Sequence, residues 1–438
     1  MPPPKTNSTL LLLKRFFFSP VFVPNIFTYK VWVLCLCMVA GICTKIYGQE
    51  KIYELKNNRK PATIGGYLYI FKDKKLTYKE SDIVQATGFT ASADEIPVAS
   101  VIEGNTWVRI NISNKTPAHD YNFEIEYPVI SDIKLFRQAG DSLIILAHTG
   151  NNLLFKERKN GSPNFIFPFT INQGDTAVFY FRINSIHPLV LPVFIRNAEQ
   201  LDITISNQTL FFGLYFGIIL SIILYNLFLF FSTRDRNYLI YIIYLFFLGF
   251  AQVTVSGYGF KFLWPQLPVI NMYALVIASA LAGITGIMFG IYFLRIWYYY
   301  RTAVLMPAFI IVLYFIAIAA VISGNYNLAY SILNYAGSSG GITLFIFAFL
   351  IWRKGYKTAY YYFIAWAFFL SGIIIFSFRN LGLLPSNNFT VYILYFGSAI
   401  EALLLSFALA DRINTLRKEK EESQEFALRI SRENEKLI

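Results

Sequence analysis

Apolar and polar residues follow two different rhythms along this chain, and the change falls near residue 206. From there on come seven uninterrupted apolar runs, at 210–231, 238–256, 273–294, 303–322, 330–352, 358–378 and 390–410. A hydrocarbon layer of about 30 Å takes about 20 helical residues to cross, and lipid offers the backbone no other hydrogen-bond partner. Each run therefore predicts a membrane-spanning helix. Between 49 and 205 the apolar runs shorten and alternate with polar residues, as in Tyr67-Leu68-Tyr69-Ile70-Phe71, Thr106-Trp107-Val108-Arg109-Ile110 and Ala177-Val178-Phe179-Tyr180-Phe181. Period-two patterning rich in Tyr, Phe, Val and Ile, broken by turns such as Gly161-Ser162-Pro163-Asn164, predicts an all-β, jelly-roll-like sandwich.

A third rhythm closes the chain. From Ile413 the seam positions Leu416, Lys420, Ser423, Ala427, Ile430, Asn434 and Leu437 recur in alternating steps of three and four. That is a heptad pattern, and polar residues at Lys420 and Asn434 would select register and a two-stranded state. The expectation is a homodimer joined by a cytoplasmic coiled coil. A lone solvated helix is the competing reading.

Charge sets the expected orientation. Odd-numbered connections between the runs carry Arg234, Arg236, Arg295, Arg301, Arg353, Lys354 and Lys357, against only Lys261 and Arg379 in the even ones. Basic residues near span ends stay on the cytoplasmic side, which places the β segment outside and the tail inside. The net charge of +12 thus reflects topology and lipid head groups, and nucleic acid is not an expected partner. A hydrophobic share of 55% likewise points to the bilayer.

All three cysteines, Cys35, Cys37 and Cys43, lie in an apolar run that reads as the core of a signal peptide cleaved after Gly48. Ile42 argues against a lipoprotein anchor at Cys43. Residues 1–48 are accordingly expected to be a leader with an extension, 49–205 the sandwich, 206–410 the seven helices and 411–438 the coiled-coil helix. Removal of the leader would leave no cysteine for a disulfide or thiolate site.

Candidate chemistry is sparse. His119, His148 and His187 are far apart and fit no metal or nucleophile motif, and no histidine follows His187. The helices therefore cannot build a histidine-ligated zinc site or a Ser-His dyad. No cofactor and no enzymatic activity are expected. On one strand Trp107 and Arg109 share a face and form the best pair for stacking against a sugar, although Trp107 also reads as core. Inside the spans the one deeply placed acid is Glu401, near the midplane, where a carboxyl is expected to be neutral or hydrogen-bonded to a neighbouring helix. Asn226, Gln252, Asn334 and the Ser338-Ser339-Gly340-Gly341 cluster are its candidate partners, in a packing or a switching role.

The run Asn105-Thr106-Trp107-Val108-Arg109-Ile110-Asn111-Ile112-Ser113-Asn114, with Ile133-Lys134-Leu135-Phe136 and Tyr180-Phe181-Arg182-Ile183 after it, resembles the outer domain of bacterial seven-transmembrane receptors with diverse intracellular signalling modules. Residues 397–413, Gly-Ser-Ala-Ile-Glu-Ala-Leu-Leu-Leu-Ser-Phe-Ala-Leu-Ala-Asp-Arg-Ile, are similar to the closing helix of that family, and Tyr361-Tyr362-Phe363-Ile364-Ala365-Trp366 to its sixth. The resemblance implies a periplasmic jelly-roll sensor for a small molecule or glycan, in the inner membrane, coupled to a histidine kinase or diguanylate cyclase. This chain reaches Ile438 before any such module, so a separate partner or a longer protein would carry the output. A membrane transporter or a degenerate receptor fragment are the alternatives.

Overall fold

The structure is a computed structural model that describes residues 50–55, 62–99, 104–380, 383–384 and 387–437. The leader expected at 1–48, with Cys35, Cys37 and Cys43, lies outside the described residues.

Among the described residues, twelve short strands build the first part. Seven form one sheet: β1 (Ile52–Leu55), β2 (Tyr69–Asp73), β3 (Thr90–Ala91), β5 (Asn105–Asn114), β7 (Asp132–Ala139), β8 (Ser142–Thr149) and β10 (Thr176–Asn184). Their order is β3-β2-β5-β10-β7-β8, with β1 paired in parallel to the end of β5 that β2 leaves free. A three-stranded sheet, β6 (Asp120–Ile125), β9 (Phe165–Thr170) and β12 (Val193–Arg196), packs against it, and β4 (Val98–Ala99) pairs with β11 (Leu189–Val190). The expected sandwich of mainly antiparallel strands is therefore present.

Alternation explains its core. Along β5, Val108, Ile110 and Ile112 face inward with Phe179, Phe181 and Ile183 of β10, and meet Phe123, Phe165 and Phe167 of the smaller sheet. The Phe123 ring stacks 4.3 Å from Phe169 and meets Phe179 and Phe181 edge-on at 5.3 and 5.2 Å. Such pairs are worth about 0.5–1.5 kcal/mol each beyond the area they bury. The other face of the large sheet is also covered, because Ile83, Ala86 and Phe89 fold back over Trp107, Phe136 and Tyr180.

Among the described residues, seven long apolar helices follow: α1 (Ala198–Thr233), α2 (Arg236–Val255), α3 (Asn271–Phe293), α4 (Leu305–Ile322), α5 (Tyr326–Arg353), α6 (Thr358–Asn380) and α7 (Asn388–Leu437). They close into a ring in chain order, α7 meeting α1, while α3 also touches α5 across the middle. Helices α6 and α7 approach each other closely at a pair of glycines. A Cβ on Gly372 would sit 3.2 Å from the carbonyl oxygen of Ile393, and one on Gly397 would sit 3.8 Å from Cα of Gly372. Without a solvent-driven hydrophobic effect, small residues of this kind let helices associate through close backbone packing.

Helix α1 starts at Ala198, eight residues before the expected boundary at 206, for a local reason. Asn197 caps it by accepting from the Gln200 backbone, while the Gln200 side chain accepts from the Asn197 backbone, a capping box. Helix α7 continues without a break to Leu437, 50 residues, or about 75 Å at the helical rise. The heptad seam lies along this continuation. Ala427 is exposed in the single chain, and the side chains of Leu416, Lys420, Ile430, Asn434 and Leu437 lie outside the described residues.

Candidate functional site

Two polar constellations occupy the path from the sandwich to the closing helix: the junction between sandwich and bundle, and the core of the bundle around Glu401.

The junction has no slack. Strand β12 ends at Arg196, Asn197 is the cap and α1 begins at the next residue. Buried Arg196 donates to Glu124 at 2.5 Å and to Glu126 at 2.9 Å, tying the last strand to β6 and the residue after it. Asn164 donates to Glu124 at 2.8 Å and to Gln208 of α1 at 3.0 Å, so the first turns of the helix are pinned to the sheet. Burial raises Glu126 to about 7, with neighbouring Glu124 adding to the shift and Arg196 opposing it. Glu124 is raised too, by burial against the pull of Arg196.

A second set of contacts holds the loop after β8. Asn271, at the start of α3, accepts from Trp264 Nε1 at 2.8 Å and donates to the Asn151 carbonyl at 3.0 Å. Phe155 meets Phe260 edge-on at 5.4 Å. Buried Arg158 donates to Asn151, to the Pro163 carbonyl and, at 3.1 Å, to the Pro128 carbonyl, with its guanidinium 4.3 Å above Phe165. Burial lowers its pKa to about 9, still charged at neutral pH. The third contact is His187, whose Nδ1 meets the hydroxyl of Tyr330 on α5. Burial pulls this imidazole down to about 4, so it is neutral at neutral pH.

Within the bundle, Glu401 is fully buried midway along the last span, Phe389–Ile413. Its Oε1 accepts from Tyr244 of α2 at 2.8 Å, and its Oε2 has no hydrogen-bond partner among the described residues. Neighbouring turns of α7 repeat the tie. Tyr241 donates to the Ala402 carbonyl, Tyr215 of α1 meets Ser398 at 2.9 Å, and Asn226 donates to Ser406 at 2.8 Å. Helix α7 is thus latched to α1 and α2 at four levels by neutral side chains and one carboxyl.

The partners differ from those suggested by sequence. Asn226 pairs with Ser406, and Gln252 donates to Ser398 at 3.4 Å. Asn334, Ser338, Gly340 and Gly341 line a cavity, and Ser339 donates to its own helix at Tyr335. Tyr244 carries no distinguishing spacing in a chain with 30 tyrosines, and only the packing of α2 on α7 identifies it.

On the sandwich, Trp107 and Arg109 do point to one face, but Trp107 has no exposed surface because Ile83 and Ala86 cover it and Phe136 lies 5.9 Å away. A ring so enclosed cannot stack on a sugar. Arg109 stays half-buried between Tyr69 and Phe89, its guanidinium 5.1 and 5.2 Å from their centroids. Glu80 crosses the same face to meet Lys134 at 3.0 Å and Arg182 at 2.7 Å.

Residues 65–197 match the family model described as 7TMR-DISM extracellular 2, and residues 208–412 match the one described as 7TM diverse intracellular signalling. No curated protein matches the chain.

Proposed function

The chain belongs to the seven-transmembrane receptors with diverse intracellular signalling, and from that premise we propose that it is a homodimeric sensor relaying an outside ligand along α7. The sandwich, on the periplasmic side of an inner membrane, binds a small molecule or glycan. Of the polar residues on the covered face of the large sheet, Glu80, Lys134 and Arg182 keep part of their side chains exposed, and these are the ones offered to that ligand. Binding shifts the junction, the junction biases the bundle between two packings, and the tail carries the difference into the cytoplasm to a separate kinase or cyclase.

One observation supports this reading above the others: the helix that holds the midplane carboxyl is the same unbroken helix that leaves the bundle as the tail. A small rotation at Glu401 is therefore passed without a hinge to the seam. A weak coiled coil is suited to respond, since two packings a few kcal/mol apart are switched by modest differences in contact energy.

The test is disulfide crosslinking of Ala427→Cys in full-length protein whose Cys35, Cys37 and Cys43 are serine, in membranes, with and without a panel of oligosaccharides. The expected result is a crosslinked dimer whose yield changes with one of the sugars. Absence of crosslinks in every state would end the dimeric relay.

A further inference from the structure

Inside the ring of helices, in the half nearer the sandwich, lies a cavity of about 570 Å³ between α2, α3, α4, α5 and α6. Its walls are mostly apolar, with Leu248, Ile287 and Trp366 among them, and no charged residue among the described residues lines it. On one side, two polar residues a single helical turn apart on α5, Asn334 and Ser338, open into it and are exposed. Neither side chain has a hydrogen-bond partner among the described residues, in contrast to Ser331 and Ser339 of the same helix, which donate to carbonyls four residues back at 2.9 and 2.7 Å. At membrane depth an unpaired amide and hydroxyl are costly, and water is scarce. The opposite wall includes Tyr244, the residue that donates to Glu401.

We propose that this cavity is a second ligand site, for a neutral and mainly apolar molecule dissolved in the bilayer whose small hydrogen-bonding head meets Asn334 and Ser338. The absence of charge in the lining disfavours carboxylates, phosphates and ammonium groups, which would be desolvated there without a counter-ion. The apolar walls take an alkyl or isoprenoid-like body, and the amide and hydroxyl supply both a donor and an acceptor for an alcohol or carbonyl. Occupancy sets a ligand against the ring that holds Glu401, so the site has a direct route to α7. The site is independent of whatever the sandwich binds.

The experiment uses the full chain in phosphatidylcholine nanodiscs and a diazirine-bearing long-chain alkanol, with the diazirine carboxylate of equal length as comparison. The proposal expects saturable labelling of α5 and α6 next to Asn334 and Trp366, competed by plain alkanol and at least about fivefold above the carboxylate, roughly the discrimination of 1 kcal/mol. Ser338→Leu and Gly337→Leu should each lower it severalfold. A Cβ on Gly337 meets only the Tyr314 hydroxyl, at 3.8 Å, an ordinary contact, so the added side chain enters the cavity without a backbone clash at its base. Should either variant misfold, Asn334→Ala at an exposed position gives the same reading through lost preference for alkanol over carboxylate. Labelling confined to outward residues such as Leu220 and Phe228, equal labelling by the carboxylate, insensitivity to the variants, or crosslinks only to a second copy would each overturn the site.

Discussion

Tyr244 donates its phenolic hydrogen to Oε1 of Glu401 across 2.8 Å, and the two residues belong to helices that meet in the middle of the bundle, 157 positions apart in sequence. The bond gives the buried carboxyl its partner among the described side chains and joins the second helix to the last. Tyr244→Phe keeps the ring and removes only the donor. Interhelical hydrogen bonds in membranes are worth about 0.6 kcal/mol on average and up to about 1.7. With so enclosed a carboxyl, a loss near the upper end is expected, measured as unfolding in mixed micelles of increasing sodium dodecyl sulfate. Glu401→Gln, whose amide oxygen still accepts from Tyr244, should lose less. Equal losses would show that the hydroxyl is not the holding group.

Acid should loosen the junction. His187 has its folded pKa pulled from 6.5 to about 4 by burial, so the unfolded chain takes up a proton that the folded chain refuses. Its stabilising effect is complete above about pH 6.5 and is lost as pH falls from there toward 4, by an amount on the order of a few kcal/mol. Glu126 acts with opposite sign. Its pKa is raised to about 7, so its contribution is complete below its ordinary value near 4.5 and declines as pH rises through 7. His187→Phe should therefore remove the acid-side loss and leave the rise-of-pH loss standing, read from thermal unfolding of the sandwich across pH 4–8. An unchanged profile would place the titration elsewhere.

Much of this architecture is legible in the sequence because its signals are long or periodic. Hydropathy over about twenty residues finds α1 to α7, and alternation finds β5 and β10 and even places Trp107 beside Arg109 on one face. What periodicity cannot show is that residues 83–89 return to cover that face, since a strand pattern does not say what crosses over it. It was likewise silent on Tyr244, because a tyrosine in an apolar run looks the same whether its hydroxyl meets a carboxyl or a headgroup. The early start of α1 had a local signal, Asn197 followed by Gln200 at the third helical position, outweighed by hydropathy that rises only later. Glu401 stood out because an acid in a span is rare; its partner did not.

Arginine at 158 is not replaceable by lysine. Its planar fork reaches Asn151 and two proline carbonyls at once while lying on Phe165. An ammonium supplies a point charge without that spread. Arg158→Lys should strand at least one buried carbonyl at about 1–3 kcal/mol, visible as faster proteolysis between residues 150 and 165. Wild-type resistance in the lysine variant would contradict the assignment.

Two glycines of the bundle should behave oppositely. A Cβ at Gly283 would fall 2.2 Å from Cζ of the Tyr314 ring, which must shift to admit it, whereas one at Gly337 would meet only the Tyr314 hydroxyl at 3.8 Å, an ordinary contact. Gly283→Ala is expected to destabilise by about 1–3 kcal/mol through overpacking. Gly337→Ala should be neutral or slightly stabilising, since glycine in a helix is less favourable than alanine by about 1 kcal/mol. Unfolding in dodecyl sulfate distinguishes the two, and similar losses would mean that helix flexibility matters more than the ring.

The relay rests on contact between sandwich and tail through the bundle, and it is tested most directly without any ligand. Spin labels at Ala427→Cys, in the chain with its other cysteines as serine, report the distance between the two tails of a dimer in nanodiscs. Breaking the junction with Tyr330→Phe, which removes the hydroxyl that meets His187, should shift that distance distribution while the sandwich keeps its unfolding temperature. Latching through Glu401 predicts that Tyr244→Phe shifts it as well. Distributions that superimpose on the wild type for both variants, with dimers intact, would contradict the account.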